Sequence, residues 1–244
     1  MHQVFKCGVR WIAGAVLVAA MVVAGCSKQP QPVNAEYALP VPIGDALETT
    51  GAQGIVPSIG KWMVAPSGQV ANWLGQRVDG KEIYEPINVI LFDPIAKTAV
   101  EAQDRLVAAS TAANFLVRSG HSSGYGAIID GSVYPELPWG PGNAFSDEPF
   151  VLSNNHGRIF GPHKLPGGWL FVGAFSREAI APTQQVKHSY ASLNRSRDAF
   201  AHRMVTGANY RITSFISLGN AILDQPARGT GDHDGIAILL EATR

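Results

Sequence analysis

Cysteine is nearly absent from this 244-residue chain: Cys7 and Cys26 are the only two, both within its first 26 residues. Anything that folds downstream of residue 26 therefore has no disulfide, no thiolate metal ligand and no cysteine nucleophile. It must be held by an ordinary hydrophobic core. Charge is sparse too, with 19 Lys and Arg against 19 Asp and Glu and no run of either sign. A near-neutral chain without a basic stretch interleaved with aromatics gives no electrostatic case for nucleic acid as a partner. Internal repeats are missing, and so is the H-E-x-x-H pattern of a helical zinc site.

What is present begins at the N-terminus. Lys6 and Arg10 precede an uncharged run from Trp11 to Gly25, which ends in Val23-Ala24-Gly25-Cys26. The run is shorter than the roughly 20 apolar residues of a spanning helix. A basic start, an apolar middle and small residues before a cut are the parts of a secretory signal. With cysteine at the cut, the stretch resembles the signal of a bacterial lipoprotein. The resemblance implies a signal peptide over 1–25, lipidation of Cys26 (palmitate among the acyl chains) and attachment to the lipid bilayer. Each buried methylene contributes about 0.8 kcal/mol, so several acyl chains anchor stably where one does not. Ser27, in place of Asp, implies sorting to the outer membrane with the body facing the periplasm, as in Gram-negative lipoproteins. An uncleaved anchor and a plain secretory signal cut elsewhere are the alternatives. Loss of residues 1–25 removes Lys6 and Arg10 and takes the net charge from zero to −2. Residues 26–42, with Gln29-Pro30-Gln31-Pro32-Val33, read as an extended, flexible tether. Residues 43–244 are of a length for a single domain.

Within that domain, Ile87–Phe92 is a short β-branched run bounded by prolines, and reads as a buried strand. Thr98 and Glu101 have capping-box spacing. They open a helix whose apolar positions run to Leu116, with Arg118 and Gly120 suited to its C-terminus. Asp130-Gly131 marks a hairpin turn between Ala127 and Tyr134, and residues 135–149 read as a loop. Short strands are expected at Phe150–Leu152 and Gly157–Phe160. A clear strand is expected at Trp169–Phe175, with Val186–Tyr190 paired to it. Asn194–Val205 is a second helix, with Asn194 as N-cap and Gly207 as stop. Tyr210–Leu218 and Gly235–Glu241 are the last strands. The pattern predicts an α+β fold, a mixed sheet packed with two main helices.

Four groups of residues have the chemistry for a site. Asn154, Asn155, His156 and Arg158 form an unusually polar loop between apolar segments, which marks them as candidate ligand-binding residues. His121, His188, Asp232 and Asp234 are candidate catalytic groups, since imidazole and carboxylate divide acid and base roles or hold a zinc-like ion when they converge. Without a diagnostic ligand spacing, no residue is assigned to a metal and no cofactor is implied. Asp232-His233-Asp234-Gly235 also reads as a turn whose carboxylates bond local amides. Gly120-His121-Ser122-Ser123-Gly124 matches the nucleophile-elbow string, but a helix precedes it where a strand is required. It reads as a helix end and polar loop. Arg195 and Arg197 at a helix start would receive an anion, or Arg197 would pair with Asp198.

The order of these segments carries a second resemblance. Pro86-Ile87-Asn88-Val89, a helix, Trp169-Leu170-Phe171-Val172-Gly173-Ala174-Phe175-Ser176-Arg177, then Lys187-His188, Arg197-Asp198 and Asp234-Gly235 resemble the LssY C-terminal family over residues 70–241. That resemblance implies an α+β domain of bacterial envelope proteins and carries no catalytic residues across. The expectation is a membrane-anchored, noncatalytic domain that binds a small polar ligand or an envelope protein. The alternative is an envelope hydrolase built on the His/Asp cluster, with or without a metal.

Overall fold

The computed structural model describes residues 44–140, 142–180 and 188–244. The expected signal, Cys26 and the tether lie outside them, as do Val186 and Lys187. In chain order the strands are Asn72–Val78 (β1), Lys81–Tyr84 (β2) and Val89–Asp93 (β3), before a helix at Ala99–Ala112 (α1). Leu116–Arg118 (β4), Gly126–Ile129 (β5), Ser132–Leu137 (β6), Ala144–Ser146 (β7), Asn154–Leu165 (β8), Gly168–Ile180 (β9) and His188–Ser192 (β10) follow. The second helix is Asn194–Gly207 (α2), and Tyr210–Ser217 (β11), Arg228–Gly229 (β12) and Ile236–Ala242 (β13) complete the series.

The fold is α+β. A large mixed sheet runs β11-β13-β3-β9-β8-β6-β5, with β10 added to β9 and the pair β4-β7 added to β8. Only β3 and β13 are parallel within it. β1, β2 and β12 form a separate small sheet. Among the described residues no helix is long and apolar enough to cross a membrane.

Period-two alternation sends the two faces of the large sheet into different cores. Val89, Leu91, Phe171, Phe175, Ile238 and Leu240 face the helices and meet Leu106 of α1 and Phe200 and Met204 of α2. Phe175 stacks on Phe200 at 4.2 Å, and Phe115 meets Phe200 edge-on at 5.1 Å. Ile90, Leu170, Val172 and Leu239 face the other way, onto the N-terminal segment through Val56, Ile59 and Met63. Buried Asn88 extends the β3–β9 ladder with its side chain: Nδ2 donates to the carbonyl of Phe175 at 2.9 Å, and Oδ1 accepts from its amide at 3.0 Å. Gly157 lies under Phe175, where a Cβ would stand 2.5 Å from the ring.

The Thr98 hydroxyl caps α1 as the spacing predicts, accepting from the amide of Glu101 at 3.1 Å. Glu101 reaches one residue further back, to the amide of Lys97. The helix stops at Ala112, well short of the expected end near Gly120. Asn114 takes a positive φ of 57°, Phe115 enters the core, and Leu116–Arg118 pair with Ala144–Ser146. Burial of Phe115 and a strand ladder outweigh helix propensity here. The Asp130-Gly131 hairpin is present, both turn residues having positive φ. Phe150–Leu152 is turn, with Val151 and Leu152 exposed, whereas the expected polar loop at Asn154–Arg158 is the buried first half of β8.

Asn194 is the first residue of α2, not its cap. The first-turn amide of Arg195 donates instead to the Ser192 hydroxyl at 2.9 Å, and Asp232 braces that hydroxyl at 2.5 Å while accepting from the Leu193 amide at 2.7 Å and the Tyr190 hydroxyl at 2.6 Å. Arg197 is paired with Asp198 at 2.8 Å and Asp234 at 2.6 Å. The structural pairing expected of it is therefore the one realised.

Candidate metal centre

Strand alternation assembles the site. In the antiparallel β8–β9 pair, Asn154 stands opposite Glu178, His156 opposite Ser176 and Arg158 opposite Ala174. These residues continue the face of Phe160 and Val172, away from the helices. β10 lies along the other edge of β9 and brings His188 to Glu178, its Nδ1 at 2.6 Å from Oε2. The loop between β4 and β5 lays His121 and Ser122 over the same place. It is pinned where the His121 amide donates to the carbonyl of Gly142 at 2.9 Å. Gly142 has a φ of +68°, and a Cβ there would lie 2.4 Å from the His121 carbonyl oxygen, so the two loops approach this closely only with glycine. Phe150 meets both imidazoles edge-on, and the rings of His121 and His156 lie 4.8 Å apart.

Hydrogen bonds fix the histidine tautomers. The Asn154 amide donates to the Leu152 carbonyl at 2.8 Å and to Glu178 Oε2 at 3.3 Å, so its oxygen faces Nδ1 of His156 at 2.8 Å. That nitrogen is therefore a donor, and Nε2 of His156 keeps its lone pair. Nε2 lies 3.3 Å from the Ser176 hydroxyl and 3.7 Å from Oε1 of Glu178. Burial, then His121, Arg158 and His188, holds the His156 pKa well below the usual value. Burial, followed by Arg158 and His188, pushes His121 down to about 3. Both rings are neutral at neutral pH, the form a metal binds. With Nε2 of His156 an acceptor, the Ser176 hydroxyl is its donor, and Glu178 Oε1 lies 3.7 Å away.

One ligand atom from each of His121, His156 and Glu178 lies within 4.8 Å of the others. Tetrahedral ligands around a zinc ion stand about 3.4 Å apart, so His156 and Glu178 are near coordination distance and the third group closes by a small movement. Two imidazoles and one carboxylate suit zinc or a neighbouring transition ion, and three ligands leave a position open. Asn154 behind His156 and His188 behind Glu178 are the outer partners that orient ligands in such sites. Beside the set, Arg158 pairs with Glu136 at 3.0 Å and lies over the Tyr125 ring at 4.2 Å. Burial, outweighing Arg158, raises the Glu136 carboxyl, and burial likewise raises Glu85. A crevice between Glu85, Arg158, Ser176 and Leu193 leads to His156 and leaves no room for a free water.

Of the candidates read from sequence, His121, His156, His188, Asn154 and Arg158 are brought together. Asn155 points to the opposite face, where its amide groups donate to Asp147 at 2.8 and 2.7 Å. Asp232 braces Ser192 and Leu193 at the start of α2, and Asp234 holds Arg197 and accepts from the Ile236 amide at 3.0 Å. His163 bonds the Tyr134 hydroxyl, and His233 bonds Asn220. Where the sequence assigned no metal ligand, the fold gathers a candidate set to which Glu178 is the addition, with Ser176 beside it. Their signal was the alternation of β9 continuing past Phe175, which puts positions 176 and 178 on one face. No family model matches the chain, and no curated protein or solved structure matches it.

Proposed function

We propose that this chain is a bacterial envelope lipoprotein, held to the outer membrane by lipid on Cys26, whose body binds a transition-metal dication through His156, Glu178 and His121. The observation that carries the metal reading is the convergence of one ligand atom each from His121, His156 and Glu178 within 4.8 Å, with His156 Nε2 3.7 Å from Glu178 Oε1. This departs from the sequence expectation of a small polar ligand or an envelope protein, in which no residue was assigned to a metal. The resemblance to the LssY C-terminal family, an envelope domain, belongs to the same proposal.

Calorimetric titration of the full chain in detergent with zinc is the test. One ion per chain is expected, and His156→Ala or Glu178→Gln should abolish the heat. A wild-type chain that takes up no zinc, or variants that bind it unchanged, would sink the metal reading. For the anchor, incorporation of an alkyne-tagged palmitate should disappear in Cys26→Ser; labelling that survives this change refutes it.

A hydrolase reading rests on a different observation. The Ser176 hydroxyl, Nε2 of His156 and the Asn154 oxygen behind Nδ1 stand in the order nucleophile, base and orienting group. A fluorophosphonate probe that modifies the wild type at Ser176, and no longer does so in Ser176→Ala or with zinc present, would favour it. Absence of modification in the metal-free protein removes it.

A further inference from the structure

A buried guanidinium is a poor neighbour for a metal dication, yet Arg158, 3 % exposed, reaches into this site. Its hydrogen bonds are unevenly shared. One terminal nitrogen, Nη2, lies 2.5 Å from Nδ1 of His121, 2.8 Å from the Ser122 carbonyl and 3.0 Å from the Ser122 hydroxyl. That nitrogen has two hydrogens for three acceptors. At the other end, Nε of Arg158 and Oε2 of Glu136 are 3.0 Å apart, an ion pair too bent for a hydrogen bond, and neither buried atom has another hydrogen-bond partner. The group is over-committed toward His121 and under-committed toward Glu136. A turn of the guanidinium plane would reverse that balance.

The contested atom is Nδ1 of His121. It accepts from Arg158 and from the Ser122 amide at 3.0 Å, so the ring proton is on Nε2 and the ring's one lone pair is taken by these two donors. That lone pair cannot serve an ion as well, so the Ser122 amide must turn away together with Arg158. We propose that Arg158 and the metal ion compete for Nδ1 of His121, with Glu136 receiving the guanidinium when the ion binds. The proposal rests on the metal reading above. Glu136 is suited to receive it because its other oxygen already anchors the Gly124 amide at 2.6 Å, which keeps the loop in place while His121 changes partner. The exchange releases no proton, since Nε2 of His121 stays protonated throughout. His156 and Glu178 then form a standing pair of ligands, and Arg158 sets how readily the third one joins.

Zinc titration of the full chain in detergent separates this from a simple anchoring role. Competition requires Arg158→Met to bind zinc about tenfold tighter or more, because a charge-assisted hydrogen bond no longer holds the ligand. If Arg158 merely holds the loop, the same change loses three bonds to it and weakens binding; weaker or unchanged affinity overturns the proposal. Should Arg158→Met fail to fold, nitrogen-15 spectra of the wild-type histidines decide the matter. Zinc should move His121 Nδ1 to a metal-bound shift while Nε2 keeps its proton. Coordination through Nε2, or a His121 ring that zinc leaves unaltered, overturns it. A wild type that binds no zinc overturns both this proposal and the metal reading; a wild type that binds it beside an unchanged Arg158→Met overturns this one alone.

Discussion

Acid should destabilise this fold through a histidine remote from the metal site. His233 is 1 % exposed, and its Nε2 donates to Oδ1 of Asn220 at 2.8 Å. Nδ2 of Asn220 in turn donates to the carbonyls of Lys61 and Ile87, both at 2.9 Å, so this imidazole steadies the crossing of three chain segments. Burial lowers the His233 pKa from 6.5 to about 4; Asp234 and Asp232 oppose that shift, and Arg197 adds to it. Below about pH 6.5 the unfolded chain takes up a proton that the folded one refuses. The stability that goes with a neutral His233 is therefore full above that pH and is lost as pH falls toward about 4. At 1.36 kcal/mol per pH unit, the loss by pH 4 is about 3 kcal/mol. Urea unfolding of wild type and His233→Gln at pH 7 and pH 4 measures it. Glutamine keeps an N–H for Asn220 and does not titrate. His121, His156 and His163 are also shifted down and act in both proteins, so the difference between the two isolates His233. The variant should lose about 3 kcal/mol less than wild type on acidification. Equal losses would refute the reasoning.

Asn88→Ala leaves the amide and carbonyl of Phe175 without partners in the core and should cost about 3 kcal/mol in urea unfolding. A loss under about 1 kcal/mol would mean that water or a backbone shift replaces both bonds. Asp232→Ala removes the acceptor for Tyr190, Ser192 and Leu193, and should cost about 2 kcal/mol while zinc affinity stays unchanged. Abolished zinc binding in a folded Asp232→Ala protein would return this residue to the site. Gly157→Ala drives a methyl group into the Phe175 ring and should destabilise by about 3 kcal/mol, read as a lowered urea midpoint.

Much of the sheet was legible because its strands obey simple patterns. Ile87–Phe92 and Trp169–Phe175 are buried on both faces and so read as continuous apolar runs, and Asp130-Gly131 supplies the positive φ its turn requires. The end of α1 was not legible, since alanine-rich sequence favours continuing the helix and only the tertiary placement of Phe115 stops it. Nor was the bracing of the α2 start, where Asp232 from far along the chain holds Ser192 and Leu193. Residues 44–71 have no period to read, because they join their neighbours through isolated bridges. His156 and Arg158 were singled out for their polarity, and that same polarity disguised them as loop. They are tolerated inside β8 because Asn154 bonds the imidazole, Ser122 bonds the guanidinium and Glu136 balances its charge. Glu178 was hidden for a related reason: a carboxylate beyond an apolar run looks like a strand end until β10 covers it.

X-ray absorption at the zinc edge of the loaded full chain tests the metal centre most directly. The expected first shell holds nitrogen and oxygen at about 2.0–2.1 Å with the scattering of two imidazole rings, falling to one ring in His121→Ala. A shell of oxygen alone, as for a hydrated ion at the surface, or a two-ring signal that survives loss of His121, would contradict it.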